Sequence, residues 1–217
     1  MKSRHLLTAL CGAALLSLCA TAQAVADPAN DFLPGYTGSH AGDLDVLSST
    51  VTYNTGSHLF DFTATLAAPV GTTATAFYVW GIDRGQGTER FNTGANPIGA
   101  GVKFDSVVIF RLDGSATVNR IVGGGATVLP GDVTWSGDTI SGSIPAALLP
   151  SLGLAPEDYT WNLWPRDGAV AGNAAISDFA PDASNGEVTS VPEPQSWLLL
   201  GGGLALLAAA ARQRKQA

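Results

Sequence analysis

The sequence predicts an all-β fold, a single antiparallel β-sandwich of jelly-roll or immunoglobulin-like type, with a short C-terminal transmembrane helix in the precursor. Three observations support this prediction. Short runs of alternating apolar and polar residues are rich in Val, Thr, Phe, Tyr and Trp. Gly, Asn, Asp and Pro separate these runs, as is typical of strands joined by tight turns. Only one stretch, PAALLPSLGL, favours a helical turn, and its prolines keep that turn short.

The chain begins with the three parts of a secretory signal peptide. Two basic residues open it, an apolar run covers residues 6–20, and an A-x-A cleavage site ends at Ala24, with cleavage after Ala26 as the alternative. We therefore assign residues 1–24 to a signal peptide and predict an exported protein. A lipoprotein signal at Cys19 is the alternative, but Leu18 stands directly before that cysteine, where a small residue is expected.

Residues 27–190 have the length of one β-sandwich domain with a full-sized core. Both cysteines, Cys11 and Cys19, lie in the leader, so this body contains none for disulfides. The body has six Lys and Arg against 17 Asp and Glu, which gives a net charge of −11. That balance argues against nucleic acid and anionic membrane surfaces as partners. It is compatible with divalent cations or with simple solubility outside the cell.

The strands follow one another along the body. DVLSSTVTYN and LFDFTATL, joined by TGSH, predict a hairpin with Val51 and Tyr53 on one face of its first strand. TAFYVWGIDRG predicts a central strand that is covered on both faces. FDSVVIFRLDGSATVNRIV predicts a second hairpin with a two-residue turn at Asp113 and Gly114, because both of these residues can adopt positive φ.

DVTWSGDTISGSIP and DYTWNLW predict three further strands, for a total of seven to nine. The stretch RGQGTERFNTGANPIGAG is a long loop rich in Gly and Asn, of the kind that carries binding residues at the edge of a sandwich.

The C-terminal tail contains a marginal membrane segment. Residues 197–211 are 15 apolar residues, which as a helix span about 22 Å and fall short of a hydrocarbon core of about 30 Å. Arg212, Arg214 and Lys215 follow as a stop-transfer signal. Composition alone leaves two interpretations open, a permanent anchor and a removable tag.

The order of parts in residues 191–217 resembles the PEP-CTERM sorting signal of exosortase substrates. Pro192, Glu193 and Pro194 form the motif, and an aromatic at Trp197, a short apolar helix and an Arg-rich end follow it. The resemblance implies a Gram-negative bacterium, export through the Sec machinery and transient insertion into the inner membrane on its periplasmic face. It also implies cleavage near the motif by an exosortase, and delivery to the cell surface or to the exopolysaccharide matrix of a biofilm.

No catalytic residue is predicted in the body, which lacks a G-x-S-x-G elbow and an H-E-x-x-H motif. His40 and His58 fall in predicted turns. Paired carboxylates from distant strands nevertheless leave a glycoside hydrolase as an alternative, with four acidic residues as imaginable members: Asp83, Glu89, Asp158 and Asp167.

Calcium is the metal that the donor types favour, because carboxylates are plentiful and soft ligands are absent. Asp43 and Asp45 would lie on the same side of an extended chain. Sandwich termini commonly run close together, so a further set near the two ends of the body could share this site: Asp27, Asp31, Asp178, Asp182 and Asn185. Ordinary turn capping by Asp is the alternative.

Tryptophans offer a second kind of binding site. Trp161 and Trp164 are three residues apart in YTWNLWPRDG and therefore face opposite sides of a strand. One of them could be an exposed platform that stacks on sugar rings, with core packing as the alternative. Trp80 and Trp135 are predicted to be buried.

Together these features predict an exported, non-enzymatic cell-surface or matrix protein that an exosortase sorts and that binds polysaccharide or calcium. A secreted hydrolase acting on that polysaccharide and a permanently anchored periplasmic binding module are the alternatives.

Overall fold

The structure, a computed structural model, describes residues 23–94, 97–191 and residue 203. Three short 3₁₀ helices lie within these residues, at Ala146–Leu148, Pro156–Asp158 and Gly172–Ala175. The same residues form twelve strands: β1 (Val25–Ala26), β2 (Val46–Asn54), β3 (Leu59–Leu66), β4 (Ala76–Asp83), β5 (Ser106–Arg111), β6 (Ala116–Arg120), β7 (Ala126–Leu129), β8 (Val133–Ser136), β9 (Thr139–Pro145), β10 (Thr160–Asp167), β11 (Gly186–Glu187) and β12 (Thr189–Val191).

The strands form two sheets whose neighbours pair antiparallel, apart from one short parallel pair. The first sheet has the order β1-β2-β3-β9-β8, with β12 parallel to β2 on the same edge as β1. The second sheet has the order β11-β10-β4-β5-β6-β7. The strands β2-β3-β9-β8 and β11-β10-β4-β5-β6 follow the orders A-B-E-D and G-F-C-C′-C″ of a variable-type immunoglobulin sandwich. Of the two topologies predicted from the sequence, the strand order matches the immunoglobulin-like one.

One core lies between the two sheets. Burial alternates along β2 and β3, as expected when one face of each strand is covered. Trp80 on β4 is fully buried, and its ring lies 5.7 Å from that of Phe62 on β3 and 4.8 Å from that of Phe110 on β5. Each large side chain buried in this way contributes about 1.5–3 kcal/mol to folding. The two cysteines of the sequence, Cys11 and Cys19, precede the described residues, and this core is packed from aromatic and aliphatic side chains.

A second, smaller apolar cluster covers the outer face of the second sheet. Trp164 on β10 and Val79 on β4 are buried there, together with Phe104 and Phe179. Phe91, in the long loop between β4 and β5, packs against this group. The loop that the sequence suggests as a binding loop therefore contributes its apolar side chains to the covering of this sheet.

The first hairpin, β2–β3, is confirmed, and so are the strands predicted around β4, β5, β6, β8, β9 and β10. The second hairpin, β5–β6, is present, but the prediction of a two-residue turn at Asp113 and Gly114 was wrong. Residues 112–115 form a four-residue loop, in which Gly114 has φ of 83° while Asp113 is not at positive φ. A hydrogen bond from the Gly114 amide to the Arg111 carbonyl closes this loop.

The sheet ends directly before the Pro-Glu-Pro motif. Strand β12 ends at Val191, and its register partner on β2 is Asn54. Among the described residues, no helix has the length and apolar character needed to cross a membrane. Apart from residue 203, the predicted transmembrane helix lies outside the described residues, and so does nearly all of the predicted signal peptide.

Candidate functional site

Five aspartates from distant parts of the chain meet at one edge of the sandwich. Two of them follow β1, one directly precedes β2, and two lie in the segment between β10 and β11. They form two overlapping groups that share Asp31, and in each group one carboxylate oxygen per residue lies within 4.8 Å of the others. The groups are Asp27, Asp31 and Asp182, and Asp31, Asp45 and Asp178. We call these five residues the aspartate cluster.

Backbone amides fix the two most buried members of the cluster. Asp45 is 1% exposed, and its Oδ2 accepts a hydrogen bond of 2.9 Å from the amide of Asn30. Asp178 is also 1% exposed, and it accepts bonds from the amides of Val46, at 3.2 Å, and Phe179, at 2.7 Å. The backbone of Asn30 has φ of 64°, a conformation that Asn tolerates better than most residues. This turn brings its amide to Asp45.

Three oxygens of the cluster have no hydrogen-bond partner among the residues that the structure describes. They are Asp27 Oδ2, Asp31 Oδ1 and Asp45 Oδ1, and all three are buried. An unpaired buried polar atom costs about 1–3 kcal/mol, and an unpaired charge costs more. Within the described residues the one ion pair joins Arg84 and Asp105, which lie outside the cluster.

The pKa values of four members of the aspartate cluster are shifted because their carboxyls are buried close together. Burial, followed by the negative charge of neighbouring aspartates, raises the pKa of Asp27 and of Asp178 well above the usual 3.8. Burial also raises the pKa of Asp31 and of Asp45. All four carboxyls therefore resist ionisation together unless positive charge is supplied.

The structure separates Asp43 from Asp45. Residues 43–45 form a turn instead of running extended, and the Asp45 amide bonds to the Gly42 carbonyl. Asp43 is fully buried and accepts bonds from the amide and the hydroxyl of Thr73, at 2.6 and 2.7 Å. It therefore anchors the loop before β4, and it is not a member of the aspartate cluster.

Asn185 also bonds elsewhere. Its side chain accepts a bond from the amide of Lys103, at 3.1 Å, and donates to the carbonyl of Lys103 and to the hydroxyl of Thr160. It holds the segment before β11 against the second sheet.

The two tryptophans proposed for sugar stacking are both buried. Trp161 is 0% exposed in the core between the sheets, and Trp164 is 2% exposed in the outer apolar cluster. They do face opposite sides of β10, but the outer side is covered, so the prediction of an exposed ring at one of them was wrong. Trp135 on the edge strand β8, predicted to be buried, is 39% exposed.

Two of the four acidic residues considered for hydrolysis, Asp83 and Asp167, support loops in the structure. Asp83 accepts bonds of 2.8 Å from the amides of Gly85 and Gly87. Asp167 accepts bonds from the Thr75 hydroxyl, at 2.6 Å, and the Ser39 amide, at 3.0 Å.

His40 and His58 are both exposed, His58 in the turn between β2 and β3 and His40 in a loop. His58 has φ of 54° and bonds the Tyr53 hydroxyl at 2.9 Å through Nδ1. His40 is exposed, and its Nδ1 lies 3.1 Å from the Gly38 carbonyl.

The outer face of the first sheet carries rows of hydroxyl groups. The residues of the first row are register partners on β2, β3, β9 and β8, and the second row crosses the same four strands beside it. A third row, on β12, β2, β3 and β9, includes Asp61, which is the one charged residue in the three rows. We call these three rows the hydroxyl face: Thr50, Thr63, Ser141 and Thr134; Ser48, Thr65, Thr139 and Ser136; Thr189, Thr52, Asp61 and Ser143.

A shallow open groove runs along part of the hydroxyl face. It has a volume of about 440 Å³ and is lined by both polar and apolar groups, among them Asp61, Asp132 and Ser143. The Ser143 hydroxyl donates to Asp61 Oδ1 at 2.5 Å, and the hydroxyls of Thr134 and Ser141 lie 3.3 Å apart. The remaining hydrogen-bonding capacity of these rows is open to a ligand. The sequence showed the alternation along β2 and β3 but not the pairing of β3 with β9, which assembles the rows.

The described residues form an all-β domain of two sheets, and the comparison with known proteins concerns the C-terminal end of the chain. The family model of the PEP-CTERM protein-sorting motif matches residues 190–215. The chain therefore carries this sorting motif, as the sequence predicted, and the motif indicates an exported protein that an exosortase processes. No curated protein and no solved structure matches the chain.

Proposed function

We propose that the protein is a non-enzymatic component of the cell surface or the exopolysaccharide matrix, released by exosortase cleavage near Pro192, Glu193 and Pro194, and that its sandwich binds polysaccharide through the hydroxyl face. The sorting motif supports the route, and the hydroxyl face is the observation that carries the binding claim.

The junction between the sheet and the motif suits cleavage. Strand β12 is complete at Val191, and the motif begins one residue later. Prolines on both sides of Glu193 disfavour a helix there and leave an extended chain for a protease to bind. Cleavage at or after the motif would remove no residue of either sheet.

The chemistry of the hydroxyl face fits a neutral, hydroxyl-rich polymer. Ser and Thr both donate and accept hydrogen bonds, which lets them pair with sugar hydroxyls in either direction. Each of the three rows crosses four strands, and because neighbouring strands lie about 4.8 Å apart, each row is long enough to span several sugar rings. The single carboxylate, Asp61, and the absence of Lys and Arg from these rows disfavour nucleic acid and anionic polymers.

Retention of the mature protein on the producer's own exopolysaccharide tests the binding surface. Thr63→Lys and Ser141→Lys place long charged side chains on the two central strands and should lower retention at least about tenfold. Asn119→Lys is the matched control, because Asn119 is an exposed strand residue of the other sheet. Equal retention of all four proteins would overturn the assignment of the face.

The same incubation separates the proposal from its main rival. A hydrolase releases reducing ends from the polymer, whereas a binding protein leaves them constant. Time-dependent release by the wild-type protein would replace the non-enzymatic proposal with a polysaccharide hydrolase.

A permanent anchor predicts a different location for the protein. A variant with Pro192→Ala, Glu193→Ala and Pro194→Ala should remain in the membrane fraction while the wild type leaves it. Wild-type protein that stays in the membrane fraction would support the anchored alternative.

A further inference from the structure

We infer that Asp31, Asp45 and Asp178 bind one divalent cation of the calcium class at the edge of the sandwich, beside Asp27 and Asp182, which form a second group with the same Asp31. This metal centre is independent of the hydroxyl face and of the sorting motif, so neither proposal depends on the other.

The spacing of the oxygens is the first argument. Calcium binds its oxygens at 2.3–2.6 Å, so two ligands of one ion lie at most about 5 Å apart. One oxygen each from Asp31, Asp45 and Asp178 meets this limit, and so does one oxygen each from Asp27, Asp31 and Asp182. Asp31 belongs to both groups and would stand at the centre of the site.

The orphaned oxygen of Asp45 is the second, independent argument. This side chain is 1% exposed and belongs to the inner group of three. The Asn30 amide holds its Oδ2, which leaves Oδ1 of this carboxylate buried without a partner among the described residues. Native proteins seldom leave a buried carboxylate oxygen unpaired. A cation bound between the three carboxylates would satisfy this oxygen.

The balance of charge points the same way. Five carboxylates occupy this edge, and the described residues place no Lys or Arg in an ion pair with any of them. Mutual repulsion and burial destabilise such a group unless a cation neutralises it. A divalent ion supplies two positive charges at the point where the carboxylates converge.

The donor set selects the kind of ion. Every side-chain donor is a carboxylate oxygen, whereas zinc and copper sites use His or Cys. Magnesium demands near-octahedral geometry at 2.0–2.1 Å, and calcium accepts six to eight oxygens in irregular arrangements. A cluster built from three separate chain segments suits the more tolerant ion.

The position of the site gives the ion a structural role. It would join the segment before β2 to the segment between β10 and β11, two parts of the chain more than a hundred residues apart. In a domain without disulfides, binding of an ion to the folded state alone raises the stability of that state. At a calcium concentration about 100 times the Kd, the melting temperature should rise by about 5–10 °C.

The test is a thermal melt of the mature wild-type protein, stripped of metal and then titrated with calcium chloride alone or magnesium chloride alone. We expect the melting temperature to rise with calcium and to rise less with magnesium. Addition of EGTA should return it to the metal-free value. Calorimetric titration should give one calcium per chain. The absence of a calcium-dependent rise in the wild type would overturn the inference.

Variants locate the site. Asp45→Asn and Asp31→Asn should each lose most of the calcium-dependent rise, and the second serves if the first fails to fold, because Asp31 is less buried. Asp43→Asn is the matched control, since Asp43 is equally buried two positions away but bonds Thr73. The Asp43→Asn change should lower the melting temperature both with and without calcium, and the calcium-dependent rise should remain. A full calcium response in Asp31→Asn and Asp45→Asn would contradict the assignment.

Discussion

The carboxylate of Asp178 accepts a hydrogen bond of 3.2 Å from the backbone amide of Val46, 132 positions earlier in the chain. This bond ties the segment after β10 to the first residue of β2. It also sets Asp178 beside Asp45, so the contact that closes the edge of the sandwich brings carboxylates together. The stability of this edge should therefore respond to pH and to cations, while the rest of the core responds to packing.

Metal-free protein should lose stability as the pH rises. Burial and neighbouring charges raise the pKa of Asp178 to about 7 and that of Asp27 to about 9. A carboxyl whose pKa is higher in the folded state stabilises that state fully below its unfolded pKa of about 4, and this contribution is lost as the pH passes through the folded pKa. The melting temperature without metal should fall between pH 5 and pH 9.

Asp178→Asn provides the control for this pH dependence. The amide cannot ionise, so the fall over the same range should be smaller in the variant. Saturating calcium should also flatten the wild-type profile, because the ion displaces the protons. A metal-free wild type whose melting temperature is constant or rises from pH 5 to pH 9 would contradict the electrostatic account.

The buried ion pair between Arg84 and Asp105 should be a major support of the second sheet. Its two atoms lie 2.7 Å apart, and the side chains are 1% and 0% exposed. Arg84 also donates to the carbonyls of Val122 and Pro150, which links three connections of the sandwich. Arg84→Met should lower the free energy of unfolding by about 3–5 kcal/mol, because it leaves Asp105 buried and uncompensated. Urea denaturation measures the loss.

The double variant Arg84→Met with Asp105→Asn checks the cause of this loss. If the uncompensated charge dominates, the double variant should be less destabilised than the sum of the two single variants. Additive losses would show that the effect comes from packing instead.

Gly81 on β4 should resist substitution because Trp164 lies over it. A methyl group at this position would collide with the ring of Trp164, which is buried against Phe104 and Phe179. Gly81→Ala should lower the free energy of unfolding by about 1–3 kcal/mol. Gly35→Ala is the control, because no atom of the described residues beyond Gly35 and its two chain neighbours lies within 4 Å of the added group, and it should change stability by less than about 0.5 kcal/mol. Equal effects of the two changes would contradict the packing described for Trp164.

Local patterns in the sequence predicted much of the fold. The alternation in β2 and β3 and the long apolar run of β4 specify strands through contacts between near neighbours. The order of the strands depends on pairings such as β3 with β9, which bring together residues about 80 positions apart. Periodicity carries no information on such pairings, so the sequence left both topologies open.

For the candidate site, too, local patterns were informative and contacts between distant parts of the chain were not predictable. Trp161 lies in the core between the sheets, whereas the burial of Trp164 follows from a loop that folds back over the second sheet, and no local pattern in β10 reports that covering. Asp43 and Asp45 were paired on the assumption of an extended chain, and a turn at residues 43–45 separates them. The nearness of the domain's ends, a general property of sandwiches, was the better guide to the aspartate cluster.

The intact mass of the protein released from producing cells tests the central claim most directly. Sorting by an exosortase predicts a mature chain that begins near residue 25 or 27 and ends close to Pro194, without the apolar and basic tail. Release of protein that retains residues 197–217 would contradict the account.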